Sequence, residues 1–327
     1  SGDVLRAEGV THLADALQRV PGLSLARSSS FGSQVALFVR GGQSNYTRVL
    51  IDGVPVNEPG GVLDLGRITL DNIERIEIVR GPASVLYGSE AVTGVIQIFT
   101  RRGGATAQRA EIGGGSFGAR RASLGADGTV AGATWSLQGD HHASAGILAF
   151  NNAYRNDGLS ASVAFAPGAK HDLRLTSRYN ASSYQYPTGS SGAVEDRNAE
   201  RTEHRSLVGL DGGRRWSDRH ETRVQLSAST LHPRTSDGAD DASDTLGFFG
   251  YFTRGTVTRR LADLRHTVRY AGAQYLSLGG EFSRDVERAT SVSLSEYGDF
   301  PDAFEAARET KALYAQALGD VGAFSYT

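Results

Sequence analysis

Beyond about residue 105 the chain alternates. Trp135, Leu137 and Gly139 alternate with Thr134, Ser136, Gln138 and Asp140. Ala161, Val163 and Phe165 alternate with smaller residues, and Leu173, Leu175 and Tyr179 oppose Arg174, Thr176 and Arg178. Val224, Leu226 and Ala228 oppose Arg223, Gln225, Ser227 and Ser229; Val268 and Tyr270 oppose Thr267 and Arg269. A period of two is that of a strand with one apolar face. The pattern predicts strands over 107–114, 118–126, 132–142, 158–166, 171–182, 202–216, 219–231, 247–261, 264–271, 273–286 and 310–324, ten or eleven according to where Gly272 falls. A lipid-facing barrel with a wet lumen and a soluble sandwich with one solvated face share this pattern, and periodicity alone leaves both open.

The first hundred residues read differently. Val10, Leu13, Ala14 and Leu17 fall at helical spacing; Thr11 is placed to cap the start, and Pro21-Gly22 ends the run. Leu23-Ser24-Leu25 is then a short strand. Val49-Leu50-Ile51 runs into Asp52-Gly53, a strong hairpin signal. Arg75 to Val79 alternates charged and apolar side chains up to Gly81-Pro82. A helical turn over Ala83 to Leu86 ends at Gly88, and Gly94 to Thr100 is a further strand. Together they predict a small α+β unit over 1–104, linked through Arg101-Arg102-Gly103-Gly104 to the β-rich remainder, 105–327.

Composition adds bounds. Thirty-four basic and 36 acidic residues among 327 leave a formal charge of −2, which gives no reason to expect a nucleic-acid partner. With no cysteine there is neither a disulfide framework nor a thiolate metal site. No run approaches the roughly 18 apolar residues of a transmembrane helix, which leaves a barrel open, since its strands need only about 9–11 alternating residues. Forty-one glycines suit tight turns and close packing.

Six short pieces then stand in order: Phe38-Val39-Arg40-Gly41, Leu50-Ile51-Asp52-Gly53, Ile73-Glu74-Arg75-Ile76-Glu77, Arg80-Gly81-Pro82, Leu86-Tyr87-Gly88-Ser89 and Gly94-Val95-Ile96. Their order and spacing over about a hundred residues resemble the plug domain of TonB-dependent outer-membrane receptors. The resemblance implies an α+β plug followed by a transmembrane antiparallel β-barrel. Plugged barrels have about 22 strands, so the chain is expected to supply about half of one and to be truncated at both ends, without the TonB box. It also implies active uptake of a large metal chelate, with no covalent chemistry on it. The expected partners are the TonB energy-coupling protein, the chelate and outer-membrane lipid. The layout after the linker looks most like the vitamin B12 (cobalamin) receptor branch, with ferric siderophores as the competing cargo and a signalling receptor of the same fold as a further alternative.

The same resemblance makes 28–36 and 56–63 apical loops that touch substrate, with Ser29, Ser30, Phe31, Ser33, Gln34, Asn57, Glu58, Pro59 and Gly60 as candidates; read from the residues alone, 28–36 is a solvated loop. It makes Arg40 and Arg80 plug-locking residues that reach barrel glutamates, expected in strands beyond this chain. Asp237, Asp240, Asp241 and Asp244 are hard oxygen ligands on one loop, suited to calcium or simply solvated, and calcium is the one cofactor the reading calls for. Residues 113–118, GGGSFG, satisfy G-x-G-x-x-G but precede another strand rather than a helix, and so read as a hairpin. The histidines are scattered with no zinc spacing. Phe248, Phe249, Tyr251 and Phe252 read as an interfacial aromatic girdle. No catalytic constellation is visible, and an enzyme is not expected.

Overall fold

The computed structural model describes residues 1–28, 32–88, 90–188, 193–272, 274–322 and 324–326. The elements of the first unit are α1 (Gly2–Ala7), α2 (Leu13–Gln18), β1 (Leu23–Arg27), β2 (Val35–Val39), β3 (Thr47–Ile51), β4 (Val54–Pro55), β5 (Ile73–Arg80), α3 (Ser84–Tyr87) and β6 (Gly94–Thr100). β1 pairs antiparallel with β2, and a second sheet runs β4-β3-β6-β5, with β3 and β6 parallel. Asp52 and Gly53 join β3 to β4 with φ of 49° and 81°, the pair of positive values that a tight Asp-Gly hairpin turn requires. The buried core gathers Leu13, Leu17, Val35, Val49, Ile51, Leu65, Leu70, Ile73, Ile96 and Ile98.

The N-terminal helix differs from expectation. It is α2, Leu13–Gln18, and a further short helix, α1, precedes it, the two separated where Gly9 takes φ 71°. Thr11 does not cap the second. His12 is the N-cap, its side chain turned away from the helix to other partners, with the Thr11 hydroxyl meeting His12 Nδ1 at 2.8 Å. The reason is tertiary. Residues 11–13 form a β-bridge to Thr69, with Leu13 N donating to Ile68 O and Leu70 N to Thr11 O, so their backbone is committed elsewhere.

The remainder is one antiparallel sheet of eleven strands in sequential order: β7 (Ala107–Gly114), β8 (Arg120–Val130), β9 (Ala133–Ser144), β10 (Tyr154–Phe165), β11 (His171–Gln185), β12 (Glu200–Ser217), β13 (His220–Asp237), β14 (Phe248–Ala271), β15 (Gln274–Ser295), β16 (Gly298–Val321) and β17 (Phe324–Tyr326). The segment divided into 247–261 and 264–271 is one strand, β14. Asp263 does not interrupt it, because it sits on the polar face in register with Gln225 and Glu281 and accepts a hydrogen bond from the Tyr314 hydroxyl at 2.9 Å. The strand expected at 310–324 begins at Gly298. Pro301 is tolerated within it at the register position of Val292, near the strand's first turn, where a missing donor disturbs the ladder least.

The alternation resolves into two faces. Leu124, Leu137, Leu159, Val163, Leu175, Val208, Leu226, Leu264 and Leu278 are exposed on the outside, an apolar surface whose solvent is lipid. Ser136, Gln138, His142, Asn156, Ser160 and Ser162 face inward and are buried. No helix among the described residues is long and apolar enough to cross a membrane. Connections at one end of the sheet are as short as 131–132 and 218–219, while those at the other include 145–153, 186–199 and 238–247. Barrels of this kind place short turns in the periplasm and longer loops outside.

Candidate functional site

The first unit packs against the inward face of the sheet, and polar side chains make most of the specific contacts. Asn156 Nδ2 donates to Arg67 O at 2.8 Å, Asn72 Nδ2 to Ser160 Oγ at 2.9 Å, Arg205 Nη1 to Val56 O at 2.7 Å and Arg259 Nη1 to Asn57 O at 3.0 Å. Three ionic contacts reinforce them. Arg67 lies between Asp64, at 2.8 Å, and Glu203 of β12, with its guanidinium 4.9 Å from the Tyr184 ring. Burial opposes the Arg67 charge, but Glu203 and Asp64 outweigh it and raise its pKa above the ordinary value. Asp52 pairs with Arg174 of β11 at 3.1 Å. Glu90 faces Arg48 at 3.4 Å, Arg308 at 3.1 Å and Arg259 at 3.7 Å, and Asp285 holds Arg259 at 2.7 Å. Burial, against the pull of Glu90, lowers the pKa of Arg48.

These anchors were not singled out as such by sequence. Arg40 and Arg80, which were, are exposed. Arg80 donates to Pro21 O at 3.1 Å, and among the described residues neither is ion-paired with a carboxylate. Arg40 sits at φ 51° at the end of β2. The neighbouring Glu74 and Glu77 are local partners of Arg75, at 3.3 and 2.6 Å.

Of the expected apical residues, Ser29, Ser30 and Phe31 lie outside the described residues. Ser33 is buried and Gln34 exposed, with the Gln34 carbonyl accepting from Ser28 N. The Asn57 side chain ties its loop to β3: Oδ1 accepts from Val49 N at 2.7 Å, while Nδ2 donates to Thr47 O and Gly61 O at 3.0 and 2.7 Å. These bonds shape the loop. Desolvation raises the pKa of Glu58, against the pull of Arg205. Gly60 is exposed at φ 90°, and its carbonyl accepts from Asn45 Nδ2. The loop therefore offers Pro59, Gly60 and backbone groups outward, on the side of the sheet that carries the longer connections.

The acidic loop is tied to its neighbour. Asp240 Oδ1 accepts from Arg197 N at 2.7 Å and Asn198 Nδ2 at 3.1 Å, Asp244 Oδ2 accepts from Asp240 N, and Asp241 Oδ1 accepts from Ser243 N. Asp237, the last residue of β13 and at the loop end of the sheet, is pushed up to about 6, by burial first and then by the charges of Asp196, Asp240 and Asp244. Asp196 belongs to this acidic set, and sequence spacing gave no sign of it. No three of the four sequence candidates bring ligand atoms together. The aromatic run divides: by register Tyr251 shares the inward face with Asp237 and Thr253, while Phe252 points outward.

The space between the two units is uneven. Around Val56, Arg67, Arg178 and Glu203 the free volume is about 20 Å³, room for about one water. Toward the short-turn end a cavity of about 470 Å³ opens, lined by Asp52, Phe99, Arg102, Arg174, Arg223 and Arg265.

Residues 1–95 match the TonB-dependent receptor plug domain. The vitamin B12 transporter BtuB of Vibrio vulnificus (strain CMCP6) is 27% identical over 322 residues, covering 94% of this chain and 50% of that protein. Among solved structures, the ferric citrate transporter FecA in its unliganded form superposes with a TM-score of 0.77 at 18% identity, over 97% of this chain and 52% of that one. FpvA of P. aeruginosa, bound to a heterologous ferric pyoverdine, gives 0.75 at 14% identity, over 96% and 48%. The chain thus spans about half the length of the proteins it resembles.

Proposed function

We propose that the chain is a TonB-dependent receptor of the bacterial outer membrane and that it serves the active uptake of a bulky metal chelate of the cobalamin class. The observation that carries this reading is a plug tied to a barrel wall by many hydrogen bonds and ion pairs, with Leu207 of the wall packed into the plug core. Polar contacts exchange with water at little net cost, so such a plug is firmly placed yet able to be remodelled by an energy-coupling partner. The narrow seam beside Arg67 and the wider cavity toward the short-turn end support a path that is closed outside and slack inside. In this reading the ligand rests on the loop around Pro59 and Gly60, beside Glu58 and the segment 28–36, and on the inward-facing Tyr251. Energy delivered through TonB then shifts the plug, with Arg40 and Arg80 completing its attachment.

Similarity to a vitamin B12 transporter supports cobalamin, and ferric siderophores stand beside it as the alternative cargo; the solved structures at 14–18% identity speak only for the fold. Calcium is proposed for the acidic loops. Burial first and then the charges of Asp196, Asp240 and Asp244 raise Asp237; a bound cation relieves the charge part, and Asp237, Asp240, Asp241 and Asp244, with Asp196 beside them, are the ligands proposed. The test is fluorescence of the receptor in detergent, titrated with cyanocobalamin with and without calcium. Saturable quenching is expected, stronger with calcium. A flat cobalamin trace with saturation by a ferric siderophore would replace the cargo and leave the uptake reading standing. Saturation by neither would remove that reading.

A further inference from the structure

Asp140 and His142 stand two residues apart on β9 and so share its inward face. Opposite them is Asp71, in the plug segment that leads into β5. His142 Nε2 lies 2.8 Å from Asp71 Oδ2 and 4.0 Å from Asp140 Oδ2. One donor atom from each residue falls within 4.8 Å of the other two, the one such trio among the described residues. The side chains are 5, 6 and 4% exposed. An ion with nitrogen and oxygen ligands at about 2.0–2.2 Å in a tetrahedral arrangement holds its donor atoms roughly 3.3–3.6 Å apart, and the observed separations bracket that value. Histidine spacing gave no hint of this group, because the plug ligand lies 71 residues before His142.

The surroundings are arranged around the trio. Gly158 is the register partner of Asp140, and a Cβ there would fall 2.4 and 2.6 Å from the two Asp140 carboxylate oxygens. The carboxylate occupies space that only glycine leaves. Two buried carboxylates meet one imidazole. The nearby guanidinium of Arg178 is directed to Thr69, at 3.3 Å from its carbonyl and 3.0 Å from its hydroxyl, and Asp140 receives the same hydroxyl at 3.5 Å. Arg121, in register with His142, is paired with Glu111. The His12 ring stands edge-on to His142, with centroids 5.4 Å apart, and its Nε2 meets the Tyr154 hydroxyl at 3.1 Å, so it fixes the neighbouring plane without entering the trio.

We propose that Asp71, Asp140 and His142 bind one divalent transition-metal ion of the zinc class, with one ligand from the plug, two from the barrel and a fourth position for water. One imidazole and two carboxylates suit such an ion, whereas calcium takes six to eight oxygens. The ion replaces the hydrogen bond between His142 and Asp71, with Nε2 supplying its lone pair. It ties plug to barrel. That consequence rests on the uptake reading; the binding itself does not.

The experiment uses the receptor in detergent, stripped with EDTA and titrated with Co²⁺ and then Zn²⁺. One equivalent of Co²⁺ is expected to develop visible absorption bands that Zn²⁺ abolishes. His142→Ala and Asp71→Asn, each checked for a folded barrel by heat-modifiable migration, are expected to weaken binding tenfold or more. His220→Gln, which breaks the exposed His220–His266 pair, is expected to leave it unchanged. X-ray absorption on the zinc-loaded wild type needs no variant and is expected to show a single imidazole among oxygen ligands. No one-equivalent band, two or more imidazoles, or binding lost in His220→Gln and kept in His142→Ala would each overturn the proposal. Failure of the cobalamin and siderophore titrations would leave these readouts unaffected.

Discussion

Arg67→Met tests how the plug is held. Arg67 is 5% exposed and lies between Asp64 and Glu203, themselves 10 and 6% exposed. Methionine keeps most of the volume and removes the charge, leaving Glu203 buried opposite an apolar group. Breaking a buried pair from one side costs about 3–5 kcal/mol. The low end applies here, because Arg201 remains 2.9 Å from Glu203 and Asp64 still accepts from Val35 N and Gly66 N. At a urea slope of roughly 2 kcal/mol/M, a loss of ~3 kcal/mol lowers the midpoint of plug release by about 1.5 M. The chain has no cysteine, so an environment-sensitive fluorophore on Ser28→Cys, at an exposed plug position, reports release alone. The double variant Arg67→Met/Glu203→Gln removes both charges and is expected to recover at least half of the loss. A single-variant midpoint within about 0.3 M of the parent, or a double variant no better than the single, would refute the reasoning.

Three further outcomes are expected. Glu90→Gln leaves Arg259 and Arg308 with Asp285 and takes from Arg48 its paired carboxylate; the plug becomes easier to proteolyse at unchanged heat-modifiable migration of the barrel, and equal protease resistance would count against the cluster as an anchor. Asp52→Asn loses the ion pair to Arg174 and weakens the bonds that Asp52 accepts from the Thr100 amide and hydroxyl; a loss of about 1.4 kcal/mol speeds exchange of the Thr100 amide roughly tenfold, and unaltered exchange would show that the turn stands without it. For Glu58, burial raises the folded-state pKa, so its contribution is fully present below the unfolded value and is lost as pH rises through the folded one. Glu58→Gln is therefore expected to be the more stable protein at about pH 7, with the gap closing near pH 4, and a variant less stable at neutral pH would reverse that sign.

The parts of this protein that were legible in its sequence are those whose cause is local. Alternation marks a strand wherever it occurs, so Trp135 to Asp140 and Leu173 to Tyr179 were assigned to the correct faces before any coordinates. Asp52-Gly53 announces its turn through the φ values it tolerates. Where a neighbour decides, local reading fails: Asp263 and Pro301 look like breaks, yet lie inside long strands whose partners carry the ladder through. The contacts between plug and barrel were invisible for the same reason. Glu90 and Arg308 are 218 residues apart, Asn57 and Arg259 are 202, and no spacing links them. Asn57 shows the converse: a polar side chain in a loop gives no local sign of its three hydrogen bonds, two to β3 and one to Gly61.

From β7 to β16 the strands of the barrel wall lengthen, from eight residues in β7 to 22–24 in β14, β15 and β16. At about 3.4 Å per residue and a tilt near 40°, the short strand rises ~20 Å and the long ones ~60 Å, against an apolar band of about 25 Å. The surplus stands beyond the lipid, on the side away from the short turns. This half of the mouth is consequently not a level ring but a ramp, low where the chain enters the wall and climbing to a tall screen. On the uptake proposed above, a large solute arrives over the low sill and rests against the screen, and changes on the crest of β14 to β16 are expected to alter how long it stays more than how often it arrives.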